Sequence, residues 1–105
     1  VGLETALAVV QHTMVDTGLL TWADVADRMS SAPARIGRVH DHGRGLGVGE
    51  PANIVLYDPA APVEVDGGSM VTKSSNTPFQ GMTLPGRVRA TFLRGTPTVL
   101  EGKIQ

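Results

Sequence analysis

Cysteine is absent from the 105-residue sequence, which excludes disulfides, thiolate metal ligands and a cysteine nucleophile. No apolar run approaches the roughly 18 or more residues of a membrane-spanning helix, and no basic segment with a cleavage site opens the chain. An excess of one charge sign is missing too. The net charge of −1 offers no pull toward nucleic acid or an anionic membrane. These absences suit a cytoplasmic protein. Aromatic residues make up only 4%, whereas there are 13 Gly and 7 Pro, so little bulk is left for an independent core. Val1 opens the chain without an initiator Met, directly before a helix-like stretch. The expectation is a piece of a larger protein, with some apolar surface belonging against sequence outside it.

What is present divides into helices first and strands second. Leu3 to Val15 reads as a helix, because Leu3, Ala6, Leu7, Val10 and Met14 recur at the spacing of one apolar face. The stripe continues around to Ala8 and Val9, which predicts cover on more than one side. Glu4 in the first turn suits the helix dipole, and Gly18 is a natural stop. Thr21, with Asp24 three residues on, predicts an N-cap with a shortened capping box for a helix through Trp22, Val25, Ala26 and Met29. Ser31 precedes a predicted short third helix, with Pro33 in its first turn and Gly37 at its end. This first part reads as a helical hairpin plus a terminal turn.

From Arg38 to Gly49 glycines stand at 43, 45, 47 and 49, and the stretch reads as loop. Asn53–Tyr57 is a continuous apolar run ended by Asp58-Pro59, predicted as a buried strand. Val63–Val65 is a second strand, with Asp66-Gly67-Gly68 as its turn. Arg87–Leu93 alternates, with Arg87, Arg89, Thr91 and Leu93 on one face and Val88, Ala90 and Phe92 on the other. Gly95-Thr-Pro turns the chain into Thr98–Leu100, and Glu101-Gly102 leads to Lys103-Ile104. The class is α+β, or the tail of one domain followed by part of another.

Each stretch that could carry chemistry has a plainer reading that fits better. His40-Asp41-His42 has metal-ligand spacing, but it follows a helix end and precedes alternating glycines, and the third histidine, His12, lies mid-helix. Gly47-Val-Gly49-Glu-Pro-Ala52 carries the letters of a dinucleotide fingerprint in reversed context, before a strand and not after one. Ser74, Ser75, His12 and the aspartates have no triad spacing and no nucleophile elbow. Arg87 and Arg89 could hold a carboxylate or phosphate, yet read as a solvated face. The polar loop Lys73–Gly81 lacks any carboxylate, His or Cys. Its Asn76, Thr77, Pro78 and Phe79 suit backbone capping, a fixed turn and an apolar plug, which are the parts of a joint. No catalytic, cofactor-binding or metal-ligating residue is assigned to the chain.

Several of these stretches together resemble a known family. Gly2-Leu3-Glu4-Thr5 opening a helix, Ser31-Ala-Pro-Ala-Arg-Ile-Gly37, and Gly49–Pro59 with its Pro-Ala-Asn-Ile-Val-Leu core resemble the C-terminal part of cyclic amidohydrolases. Ser75-Asn-Thr-Pro-Phe-Gln-Gly81 and Gly86–Gly95 are most similar to the dihydroorotase branch, and the first of these is the more specific signal. The resemblance covers essentially the whole chain, in the family's order.

It implies an α+β fragment in two parts. Residues 1–37 would be the terminal helices of a metal-dependent (β/α)8 barrel. Residues 38–105 would be the C-terminal half of a small β-sandwich, completed by the extreme N-terminus of the parent. It also implies a zinc enzyme that interconverts N-carbamoyl-aspartate and dihydroorotate in pyrimidine synthesis. The family's zinc ligands, a His-x-His, a carboxylated Lys, two further His and an Asp, all precede the Gly-Leu-Glu-Thr segment, at the C-terminal ends of barrel strands. The segment is therefore expected to bind no zinc and to be inactive alone. Expected partners are the missing N-terminal part, with a homodimer or aspartate transcarbamoylase association for the parent. Alternatives are a hydantoinase- or allantoinase-like parent, a non-catalytic dihydroorotase-like subunit that stabilises a partner enzyme, and an independent binding module.

Overall fold

The computed structural model describes all of residues 1–105. Two helical stretches are followed by antiparallel strands in two small sheets. The first stretch begins as α1 (Ala6–Val10) and runs on into a π-helical turn, Gln11–Val15. Gly18, at φ 82°, takes the left-handed position that ends it. The second stretch comprises α2 (Trp22–Ala26), a π-helical turn Asp27–Ser31, and α3 (Ala32–Ile36) without a break. Its N-terminus is the predicted capping box. Thr21 Oγ1 accepts from Asp24 N at 3.1 Å, and Asp24 Oδ2 accepts from Thr21 N at 2.9 Å.

The separate third helix is a correction. Ser31 has helical dihedrals and caps nothing, so the chain from Trp22 to Ile36 is one helix with a widened turn in it. Pro33 explains the widening. A proline inside a helix lacks the N–H and crowds the carbonyl four residues back, and a π-turn just before it relieves that crowding. Nor does Gly37 act through left-handed geometry, since its φ is −79°. Arg38, at φ 55°, takes that position, and Val39 N donates to Ala34 O at 2.9 Å in a Schellman-type closure.

The larger sheet has the order β1-β4-β5-β6, all antiparallel: β1 (Ile54–Asp58), β4 (Arg87–Leu93), β5 (Thr96–Leu100) and β6 (Lys103–Ile104). The smaller sheet pairs β2 (Val63–Glu64) with β3 (Thr83–Leu84). The strand β3 went unpredicted, being two residues long, although its Leu84 is only 2% exposed. The turn after β4 also differs from expectation. Arg94 and Gly95 form it, both at positive φ, and Thr96 and Pro97 already belong to β5. Two positive φ values match the twist of a tight hairpin. Pro97 is tolerated because the register slips beside it, between its partner Phe92 and Thr91.

Asn53–Tyr57 is not buried as its composition predicts. As β1 it is an edge strand, and Val55 and Leu56 are about half exposed. A continuous apolar run needs cover on both faces, and this chain supplies little for either. Only ten of the 105 residues are buried, and no large side chain is fully enclosed, which makes the core as thin as the composition suggests.

That core sits where the first helix meets the small sheet. Ala8, Val65 and Leu84 form it, with Val9, Met70 and Phe79 packed against them. The buried face of the first helix is therefore Thr5, Ala8 and Gln11, while Leu3 of the predicted stripe is 92% exposed. Helix periodicity identifies faces but not which of two apolar faces meets these strands. Phe79 fills the role predicted for it, plugging the apolar joint. In a full-length parent, Phe79→Ala is expected to cost about 2 kcal/mol, below the usual range for a fully buried Phe because Phe79 is half buried. Thermal melting checks this: a lowered Tm is expected, and an unchanged Tm would refute the structural role.

Candidate functional site: the joint between helices and strands

Three sets of contacts tie the helices, loops and strands together, and the first two reach the first helix. The first centres on Gln11, which is 3% exposed. Its Nε2 donates to Pro59 O at 2.9 Å, and its Oε1 accepts from the Tyr57 hydroxyl at 2.6 Å. A buried amide is costly unless both ends are paired, and here they are. Tyr57 also meets Trp22 of the second helix, with ring centroids 5.5 Å apart and planes tilted by 57°. One side chain of β1 thus touches both helices.

Gly86 makes this approach possible. A Cβ there would lie 2.5 Å from the Tyr57 hydroxyl oxygen and 2.6 Å from both Asp58 O and Gln11 Oε1. Any larger residue would collide with the Asp58 carbonyl of β1 and displace the ends of the Tyr57 and Gln11 side chains. Partial burial, and then the carboxylates of Asp16 and Asp58, push the Tyr57 hydroxyl above the ordinary tyrosine range. Asp58 is held below the usual carboxylate range, first by the Ala60 amide and then by Arg89.

The second set is built by the polar loop Lys73–Gly81, which folds over the Asp66–Ser69 turn. Gln80 Oε1 accepts from Gly67 N at 2.8 Å, and Gly81 N donates to Val65 O at 2.9 Å. Thr77 is buried, and its Oγ1 accepts from Phe79 N at 3.2 Å, holding Phe79 toward Ala8. The third set pins the glycine-rich loop to the β4–β5 turn. Asn53 Nδ2 donates to Asp41 O at 2.9 Å, and Asn53 Oδ1 accepts from Arg94 N at 2.8 Å.

The stretches with chemical letters fall within these joints or outside any site. Asp41 of the His40-Asp41-His42 trio gives its carboxylate to Arg94 at 2.8 Å, a bond that holds its carboxyl below the usual range. Nowhere do three His, Cys, Asp or Glu side chains gather as a metal site, so these residues do not fit a zinc ion. Gly47–Ala52 is loop leading into a strand, and Glu50 within it pairs with Arg44. His12 is exposed on the first helix, while Ser74 bonds only within its own loop. Arg89 faces Asp58 at 3.0 Å and Glu101 at 3.9 Å, which leaves it no free fork for a ligand. The residue that sequence reading missed is Gln11. Its signal was present, a polar residue on the helix face shared with Thr5 and Ala8.

No family profile matches the chain. Individual proteins do. It is 58% identical over 104 residues to the dihydroorotase of Streptomyces coelicolor, covering 99% of this chain and 24% of that protein. Against the dihydroorotases of Leifsonia xyli and Mycobacterium tuberculosis the identities are 54% and 53%, at the same coverage. The resemblance to dihydroorotases holds from one end of the chain to the other. The chain spans about a quarter of the length of these relatives.

Among solved structures, this dihydroorotase-like segment superposes on an L-hydantoinase (dihydropyrimidinase) from Arthrobacter aurescens with a TM-score of 0.89 at 28% identity, covering 100% of this chain and 23% of that one. A D-hydantoinase from Thermus sp. gives 0.87 at 23% identity, with coverage of 99% and 23%, which shows the shared fold. No helix of the segment is long and apolar enough to cross a membrane.

Tyr57→Phe is expected to destabilise the parent by about 1–2 kcal/mol, because it leaves the buried Gln11 oxygen unpaired. The folded Tyr57 value lies above the unfolded one, so this contribution is complete below about pH 10 and is lost as the pH rises through the folded value. Melting curves between pH 8 and 11 should show that loss in the wild type, superposed on any general alkaline destabilisation, and not in the variant.

Proposed function

We propose that the chain is the C-terminal quarter of a dihydroorotase-like zinc amidohydrolase, structural in role and inactive by itself. On this reading residues 1–37 are the last helices of a (β/α)8 barrel, and residues 38–105 are the C-terminal half of a β-sandwich. The single observation that carries it is the 58% identity along 99% of the chain to a dihydroorotase four times as long. What the segment supplies is rigidity, through the Gln11–Tyr57 pairing, the Phe79 plug and the Asn53–Asp41–Arg94 clasp. The same reading puts the parent in the cytoplasm, acting on N-carbamoyl-L-aspartate and dihydroorotate, with a second copy or aspartate transcarbamoylase as its protein partner.

A hydantoinase-like parent is the second reading, favoured by the superposition at TM-score 0.89 and 28% identity. Sequence identity above 50% to dihydroorotases outweighs it. Assaying the full-length parent on dihydroorotate and on hydantoin separates the two. Ring opening of dihydroorotate, with hydantoin turned over poorly or not at all, is expected. The isolated 105-residue chain should show neither activity after zinc addition, and should unfold with weak cooperativity and aggregate through its open β1 edge. Hydrolysis by the isolated chain would refute the structural role.

A further inference from the structure

Polar contacts of the stretch from Val71 to Asn76 run to the start of the chain. Glu4 Oε1 accepts from Val71 N at 3.1 Å, across 67 residues, and the terminal ammonium of Val1 donates to Asn76 O, across 75. Inside the stretch, Thr72 Oγ1 donates to Ser74 O at 2.7 Å, and Ser74 Oγ accepts from Asn76 N at 3.3 Å, which keeps it bent. Both flanks are anchored in the core, by Met70 on one side and by the buried Thr77 with Phe79 on the other. A strap with fixed ends therefore lies along residues 1–5.

Those residues need an outside support. Thr5 stands at the N-cap of α1 but makes no capping bond, since its hydroxyl is turned back to Gly2 O at 3.3 Å. The start of the helix thus does not set the path of the chain that enters it. Glu4 is exposed and forms no ion pair, and its one hydrogen bond is the one to Val71. An exposed carboxylate spent on a single backbone amide 67 residues away contributes geometry more than stability.

We infer that Glu4 is a positioning residue: by tying the Val71–Asn76 strap to the entrance of α1, it fixes the direction of the backbone that runs into Val1. This rests on the dihydroorotase reading above, in which the reacting groups lie upstream of Val1. Glu4 then acts on the reaction through backbone placement, where errors of about 1 Å can cost up to a hundredfold in rate.

The test uses the full-length parent with Glu4→Ala and Glu4→Gln. Gln keeps a side-chain carbonyl oxygen that can accept from Val71 N, and Ala does not. Glu4→Ala is expected to lower kcat on dihydroorotate about tenfold, with KM moved less and Tm within about 2 °C, while Glu4→Gln restores most of the rate. Trypsin cleavage after Lys73, at the middle of the strap, should quicken in Glu4→Ala and not in Glu4→Gln. Wild-type kcat in Glu4→Ala, or a loss that follows Tm and is not rescued by Gln, overturns the inference. If the wild-type parent leaves dihydroorotate untouched, the functional reading fails, and the strap is then judged on cleavage at Lys73 alone. Unchanged cleavage overturns it.

Discussion

One hydrogen bond, from the Tyr57 hydroxyl to the Gln11 amide at 2.6 Å, is the constraint on which the rest of the segment depends. It joins the first helix to the edge strand of the larger sheet in a chain with too little core to hold them by burial. Its partners explain several otherwise separate features. Gly86 has no side chain because the pair passes over it, and Pro59 offers its carbonyl to the other end of the same amide. The bond is strong for a local reason. Gln11 is buried, so leaving either of its ends unpaired would cost more than an exposed bond could contribute. Tyr57 then carries the constraint to the second helix through Trp22.

The secondary structure was largely legible in the sequence, and the arrangement was not. The capping box at Thr21 and Asp24 formed as its letters suggest, because a cap depends on residues within one turn. Strand β4 has the predicted bounds, Arg87–Leu93, because alternation is a local signal. The misses have non-local causes. Strand β3 is two residues long and exists because β2 pairs with it. The apolar run of β1 predicts burial, and burial needs a neighbour that this chain does not contain. Gln11 was passed over because a polar residue beside an apolar stripe carries no mark of a partner 46 positions away. At the candidate site Phe79 of the loop Lys73–Gly81 packs against the core of Ala8, Val65 and Leu84, as its need for cover predicts.

The faces left open have the same physical cause as the thin core. Leu3, just before the first helix, and Ile36, at the end of the second helical stretch, are 92% and 84% exposed, and Val55 and Leu56 lie on an edge. Apolar surface of this kind is stable only when covered. The face of Thr5, Ala8 and Gln11 on the first helical stretch is buried, while Leu3 just before it and Met14 within it stay exposed. A segment with one closed and one open face behaves as a coupling piece, and the chemistry of a parent enzyme would be felt here only through backbone geometry.

The measurement that bears most directly on this account is complementation. A parent truncated just before Val1 would be produced alone and by co-expression with the 105-residue chain. The expected result is that the truncated parent alone is unstable and slow on dihydroorotate, and that co-expression with the segment restores both stability and rate. A truncated parent that melts and turns over like the full-length protein would contradict it.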